Sequence, residues 1–375
     1  MDASTDEIAG FTLKRHHLLA RDNNSNLLIA ISHICGLNTQ SARAAYISLW
    51  SRIKNFTRKQ YEDALYRNRR LIRTWLMRGT VHTVPAGEYP TYRKALESSL
   101  LARRERGERE LEKMGLELAP KARFELEEKI AELLAHDSLT VNELLEKAEP
   151  ILEPVPEKGR RWRVIHAVRS LSNRGIVCHA EHTGPWYHFT ENRFTTVQRW
   201  VSGKWSNTLD AGEARARLAL KYFSGYGPAT LADFIYWSGL KSGDARRAFE
   251  AIKHKLIGLK VEGTPNWLLA QDGHILEGIK KSTDYPVRFL PEFDSLIMGH
   301  KDKTRILADE HRAKVFLKLA DVAPVFIVNG RVAGTWKHKM TDKYFELEPF
   351  EPLSRKEKKE VDKEFARLRE FLEGD

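Results

Sequence analysis

Two side-chain amides, Asn38 and Gln40, stand two residues apart in the stretch Gly36-Leu37-Asn38-Thr39-Gln40. That spacing separates side chains on a helix but can put them on one side of an extended segment or a turn. An amide carbonyl accepts from water and an amide NH₂ donates to phosphate or sugar oxygens. Such a pair can orient a water, yet it supplies no strong acid. A plainer reading stands beside this one. Polar residues just ahead of an apolar helix pattern, here over Ala42–Ile53, commonly cap it.

Other groups offer less. His82 and Arg78 flank the end of a charged segment and could meet phosphate or sugar, though a single histidine names no mechanism. Glu292 and Asp294 alternate with Pro291 and Phe293, which suits a turn paired with Lys301 or Arg305 better than catalysis. The two cysteines, Cys35 and Cys178, lie far apart. No Cys or His spacing suggests a metal site, so neither metal nor cofactor is expected, and both thiols read as buried and free.

The elements that must position these residues repeat. Leu27–Ile34, Ala42–Ile53 and Tyr61–Met77 read as helices, followed by a short strand over Val81–Val84 that Pro85 stops. Glu88–Met114 reads as a charged helical connector. Ala122–Leu134, a short helix capped by Thr140 with Glu143, and Arg160–Asn173 form a second helical trio. Strands over Ile176–Ala180 and Trp186–Thr190 follow it. Ala214–Phe223, a helix capped by Thr230 with Asp233, and Asp244–Lys255 form a third trio, followed by strands Leu256–Val261 and Trp267–Ala270. Three helices and a hairpin make a winged helix, and the order recurs as a degenerate internal repeat. The first unit fits it with a reduced wing. The last region is β-rich, with strands Val287–Leu290, Val325–Val328, Arg331–Trp336 and Tyr344–Leu347. Asn329-Gly330 marks a hairpin there, and Ser354 with Glu357 opens a closing helix striped by Val361, Phe365, Leu368 and Leu372.

The expectation is therefore an α+β fold, mainly α with β wings: tandem winged-helix units and a small C-terminal β-rich subdomain. The boundaries are 1–118, 119–208, 209–280 and 281–375. Trp162, Trp186, Trp200, Trp205 and Trp237 read mostly as packing, with Trp186 beside Gly184-Pro185 the one placed to touch a partner.

The chain of 375 residues carries a formal charge of +11, with 42% hydrophobic and 30% charged residues. Such an excess points to a polyanion. The charge gathers on the third helix of each unit. Arg67, Arg69, Arg70 and Arg73 lie on the first, Lys158, Arg160, Arg161, Arg163 and Arg169 on the second. Arg246, Arg247, Lys253 and Lys255 lie on the third. That helix is the one a winged helix presents to DNA. The alternative is a solvated face with scattered cations. The polar, acidic start gives no signal peptide and no apolar run crosses a bilayer, so a cytoplasmic, nucleoid-associated monomer is expected.

Several blocks resemble one known family. Tyr226-Gly227-Pro228-Ala229-Thr230-Leu231-Ala232-Asp233-Phe234 is central, within Leu218–Leu240. Arg78-Gly79-Thr80-Val81-His82, Leu290-Pro291-Glu292-Phe293-Asp294, Lys301-Asp302-Lys303-Thr304-Arg305 and Val328–Trp336 accompany it. They look like a winged-helix DNA-binding family that includes an azinomycin-resistance alkylpurine glycosylase and interstrand-crosslink glycosylases. The resemblance implies tandem winged helices in a C shape around duplex DNA. It also implies a Gln-x-Gln catalytic motif, or Gln-x-Asp in the crosslink branch, falling on Asn38-Thr39-Gln40. Gln40 matches, whereas Asn38 keeps the amide on a side chain one methylene shorter. The chemistry agrees, because a purine alkylated at N7 or N3 is cationic and needs only a positioned water.

The reading is thus a monofunctional glycosylase for alkylated purines in duplex DNA. Asn38 and Gln40 would be catalytic. Arg70, Arg73, Arg78, His82, Arg160, Arg161, Arg163, Arg246 and Arg247 would bind DNA. A non-catalytic DNA-binding regulator or scaffold is the alternative.

Overall fold

A computed structural model describes residues 2–22, 26–201, 209–278, 284–339 and 344–374. Trp205 lies outside them. Helices and three sheets alternate as an α+β architecture.

In the first repeat the helices span Leu27–His33, Ala44–Arg52 and Arg58–Glu62, the last continued by a π-helical turn over Asp63–Arg67. The expected helix over Tyr61–Met77 is formed only as far as Arg67. Arg69 takes a left-handed φ of 50°, which ends the helical run, and Leu71–Trp75 is a strand. It pairs antiparallel with Val81–Pro85, so this wing is a full hairpin rather than a reduced one. Four of the strand's five residues are buried, so its sequence carries no polar–apolar alternation.

The second repeat contains helices Pro120–His136, Val141–Lys147 and Glu157–Asn173, with a short turn of helix at Glu149–Leu152. Its wing strands are Val177–Thr183 and Glu191–Thr196. The second strand begins later than expected because residues 184–190 form a loop, tied by Thr190 N–H donating to Thr183 O at 3.0 Å. The third repeat has helices Ala211–Tyr226, Leu231–Ser238 and Ser242–Ile252 with strands Leu256–Val261 and Thr264–Leu269. The capping boxes at Thr140, Thr230 and Ser354 are all formed.

One pairing recurs in every repeat. The residues just before the second helix join the outgoing wing strand: Asn38 opposite His82, Thr140 opposite Arg193, Ala229 opposite Trp267. The first two wings also meet, Arg73 opposite His179, in one six-stranded sheet. The C-terminal sheet orders Arg288–Leu290, Val325–Val328, Arg331–Lys339 and Tyr344–Pro349, all antiparallel. The helix Arg355–Glu373 docks on it through Val361, Leu368 and Leu372.

The core is divided unevenly. One cluster runs through the first repeat, the third and the C-terminal sheet, including Tyr46, Phe223, Phe289 and Trp336. The second repeat keeps a separate cluster around Leu126, Leu144 and Leu171. Glu108 on the long helix Tyr89–Lys113 joins this unit to the rest, meeting Arg163 at 3.0 Å, Arg123 at 3.2 Å and His166 at 3.0 Å. Burial opposes its charge, but the His166 and Arg163 hydrogen bonds win and hold its carboxyl down to about 2.

Candidate active site

Gly36 turns the chain out of the Leu27–His33 helix at φ 98°; a Cβ there would stand 2.8 Å from Val84 Cγ1. Only glycine fits both the conformation and the space. Leu37 and Asn38 then run as a strand against Thr83 and His82, and Thr39 N–H donates to Val81 O at 2.9 Å. Only Leu37 and Asn38 are extended; Gln40 lies at a bend.

Thr39 faces inward. Its hydroxyl lies 3.2 Å from that of Thr83, and its carbonyl accepts from Arg73 Nη2 at 3.1 Å. Arg73 also donates to Asn192 Oδ1 at 2.8 Å and lies 4.2 Å over the Phe189 ring. Burial lowers its pKa to about 10. This arginine fixes the middle of the amide pair and faces protein on every side identified. Its expected place on an exposed helix is corrected by its strand.

The two amides do not converge. Asn38 is 7% exposed. Its Oδ1 accepts from Gln40 N–H at 3.2 Å, and its Nδ2 is buried with no protein partner among the described residues. Gln40 is exposed and lines a cleft of about 570 Å³. Asn38 does not line that cleft. The capping alternative is half met. Asn38 holds a backbone N–H two residues on, as an Asx turn does. The helix, however, starts at Ala44 after Arg43, which makes no side-chain cap.

Ser41, Arg43, Glu292, Phe293, Lys314, Leu317 and Asp321 share the cleft, with Thr335–Lys337 and Glu348 opposite. Glu292 Oε1 accepts from the Ser41 hydroxyl and from Arg43 Nε at 3.0 Å. Arg43 Nη1 donates to His338 O at 3.0 Å. Glu292 and Arg43 thereby tie the Gln40 segment to the C-terminal sheet. Asp294 does the same from below. It forms two hydrogen bonds with Arg52, at 2.7 and 2.9 Å, both side chains at 0% exposure. Burial pushes the Asp294 carboxyl up, but Arg52 and its hydrogen bonds hold it below the usual range. The expected partners, Lys301 and Arg305, bond elsewhere: Lys301 N–H to Asp233 and Arg305 to Pro228 O.

The remaining candidates divide by exposure. Arg70, Arg161, Arg246 and Arg247 are exposed. Arg161 reaches Asn142 at 3.4 Å, and Arg247 pairs with Asp244. Arg160 is half-buried and bonds to Val155 O. Arg163 is 1% exposed within the Glu108 cluster. Arg78 donates to Trp237 O at 2.8 Å from a left-handed turn. His82 is buried against Thr80 O at 2.9 Å, and burial with the Arg78 charge lowers its pKa to about 3. Arg163, within the Glu157–Asn173 helix, and His82, within the Val81–Pro85 strand, are buried, and Arg78 is half-buried. Trp186 also packs inward, its ring 5.2 Å from Tyr46 and under Arg58. Trp162, read as packing, is 57% exposed on the helix that carries Arg161.

Sequence reasoning passed over Ser41, Arg43 and the lysines Lys314 and Lys337. Nothing in their spacing marks them; the fold gathers them from three separate stretches. Among the described residues no cluster of metal-ligating side chains occurs, and no helix is long and apolar enough to cross a membrane.

The fold agrees with comparisons to known proteins. Residues 31–371 match the family described as DNA glycosylase AlkZ-like. The interstrand DNA cross-link repair glycosylase of Streptomyces sahachiroi is 26% identical over 98% of this chain and 96% of its own. The solved structure of DNA glycosylase AlkZ from the same organism superposes with a TM-score of 0.81 at 25% identity, covering 100% of this chain and 98% of the other. A match to the family over nearly the whole length, on the same fold, makes this chain a member of the AlkZ-like DNA glycosylase family.

Proposed function

We propose that this DNA glycosylase hydrolyses the N-glycosidic bond of purines alkylated at N7 or N3 in duplex DNA, with Gln40 as the catalytic residue. The observation that carries the reading is the exposed Gln40 amide at a cleft, on a segment immobilised from both sides. A cationic purine leaves with the C1′–N bonding pair, which neutralises its charge, while water adds at C1′ and gives up a proton to solvent. Gln40 accepts a hydrogen bond from that water and fixes its approach. Asn38 positions Gln40 by holding its N–H. It does not share the water with it.

The reaction is that of a monofunctional hydrolase, which leaves an intact strand with an abasic site; Lys314 and Lys337 line the same cleft, so strand analysis decides whether either amine attacks C1′. The repeats act as winged helices, with Arg70, Arg161, Arg246 and Arg247 neutralising phosphates. The chain works as a monomer wherever the chromosome lies. The test is release of 7-methylguanine from methylated duplex DNA, with product strands analysed before and after alkali. Free base and alkali-labile strands are expected. Direct strand cleavage, or no release from any of several alkyl adducts including crosslinks, would refute the reading.

A further inference from the structure

A second cavity, of about 600 Å³, lies where the first and third repeats meet. The end of the Leu27–His33 helix and the Ala211–Tyr226 helix form two of its walls. The base of the third wing forms the rest, at Lys255 and at residues 269–271. That volume is usual for a small-molecule site. The cavity lies apart from the proposed DNA surface. Leu256 pairs with Leu269 at the base of the wing and Val261 with Thr264 at its tip, so base and tip stand roughly 17 Å apart. A recognition helix offers DNA its N-terminal residues, and Lys255 lies beyond the opposite end of the Ser242–Ile252 helix.

The polar lining is rich in donors. Lys221 Nζ donates to Ser32 Oγ and to Glu88 Oε1, both at 3.0 Å. An ammonium has three protons, so one is left for the cavity. Lys255, Gln271 and the Ser224 hydroxyl stand around it, and no carboxylate is among the described residues of the lining. Leu220, Leu269 and Ala270 add an apolar wall. His33 supplies an acceptor. Its Nδ1 lies 2.9 Å from His17 Nε2, with the two rings 7° from parallel, and Asp22 Oδ2 lies 3.9 Å from His17 Nδ1. Burial lowers the pKa of both histidines, that of His17 to about 4, so both are neutral at pH 7. The Asp22 carboxylate favours the His17 proton on Nδ1. His17 Nε2 then accepts from His33 Nδ1–H, which leaves the His33 Nε2 lone pair at the cavity.

The chemistry proposed at Gln40 uses none of these groups. We infer that the cavity binds a phosphomonoester of mononucleotide size, taken from solution rather than from the duplex. Lys221 and Lys255 hold the phosphate through charge-assisted hydrogen bonds, and Ser224 and Gln271 donate to its remaining oxygens. His33 Nε2 accepts from a hydroxyl of the sugar. The apolar wall receives the base, which an inorganic anion would leave bare. The inference stands whether or not Gln40 is the catalytic residue.

The test is isothermal titration of the full chain with adenosine 5′-monophosphate, inorganic phosphate and adenosine. The monophosphate should bind, phosphate should bind more weakly, and adenosine should give no heat. K255E removes a phosphate contact and Q271W fills the rim. Both positions are exposed, so the Tm of each variant should match wild type. Each should weaken the monophosphate by roughly tenfold or more, as for loss of one charge-assisted hydrogen bond. An unphosphorylated duplex should leave the bound monophosphate in place. Absence of binding by both phosphate and the monophosphate at millimolar concentration would overturn the site, as would equal affinity in wild type and both variants. Adenosine binding as tightly as its monophosphate would overturn the phosphate assignment. Displacement of the monophosphate by the duplex would return the cavity to the DNA surface and overturn the inference.

Discussion

At the residue scale, Asn38 and Gln40 are unequal partners. One lies beneath the surface and holds a backbone N–H; the other reaches the cleft. Arg73 completes the arrangement by gripping the Thr39 carbonyl. Arg73→Met should therefore lower stability by roughly 2 kcal/mol, through a buried carbonyl left unpaired. It should also slow release, while the salt dependence of DNA binding stays as in wild type. Arg161→Ala should do the reverse, reducing the slope of log K against log salt by about one, as for one lost phosphate contact. Filter binding across a salt series and thermal melting separate the two. A shallower slope for Arg73→Met would return it to the DNA surface.

At the element scale, the helix Ala44–Arg52 is buried on every face and joins the amide segment to the C-terminal sheet. Its anchor is the Arg52–Asp294 pair. Arg52→Met leaves Asp294 buried and unpaired, and should cost roughly 3–5 kcal/mol in chemical denaturation. A loss under about 1 kcal/mol would show the pair to be dispensable.

Much of this scaffold was legible in the sequence because local rules decide it. Thr140, Thr230 and Ser354 each read as caps and are caps. Asn329-Gly330 read as a hairpin and takes the expected left-handed φ at both residues. What escaped was set by distant contacts. The strand Leu71–Trp75 is buried by its neighbours on both faces, so it lacked alternation. The cleft itself draws on residues 40–43, 292–293, 314–324 and 335–348, a grouping that no spacing encodes. The spacing of the two amides was readable, but their different depths were not, since depth depends on the wing strand beside them.

At the scale of the whole molecule, the repeats follow one another in the chain, but the cores do not. The first and third share a core with the C-terminal sheet; the helices of the second pack a separate cluster, while its strand residues Cys178 and Ala180 join the shared one. Histidines add a pH limit. Burial lowers the pKa of His16 and of His82 to about 3. Below the ordinary value of 6.5 the unfolded chain takes up protons that the folded chain refuses, so stability falls with acidification from pH 6.5 toward 3. Each fully buried histidine should contribute about 2 kcal/mol of loss by pH 5. Denaturant titrations at pH 7 and pH 5 measure this directly. Equal stability at both would contradict the burial of these rings. His82→Asn should blunt the difference.

The account turns on Gln40 acting at the water and Asn38 acting through Gln40. Single-turnover release of 7-methylguanine by wild type, Gln40→Ala and Asn38→Ala, each with its affinity for the same duplex, tests this most directly. Gln40→Ala should slow release by roughly a hundredfold with affinity intact, as for loss of a group that orients the nucleophile. Asn38→Ala should slow it less, about tenfold, because it only loosens that group. Rapid release by Gln40→Ala, or a larger loss from Asn38→Ala than from Gln40→Ala, would contradict it.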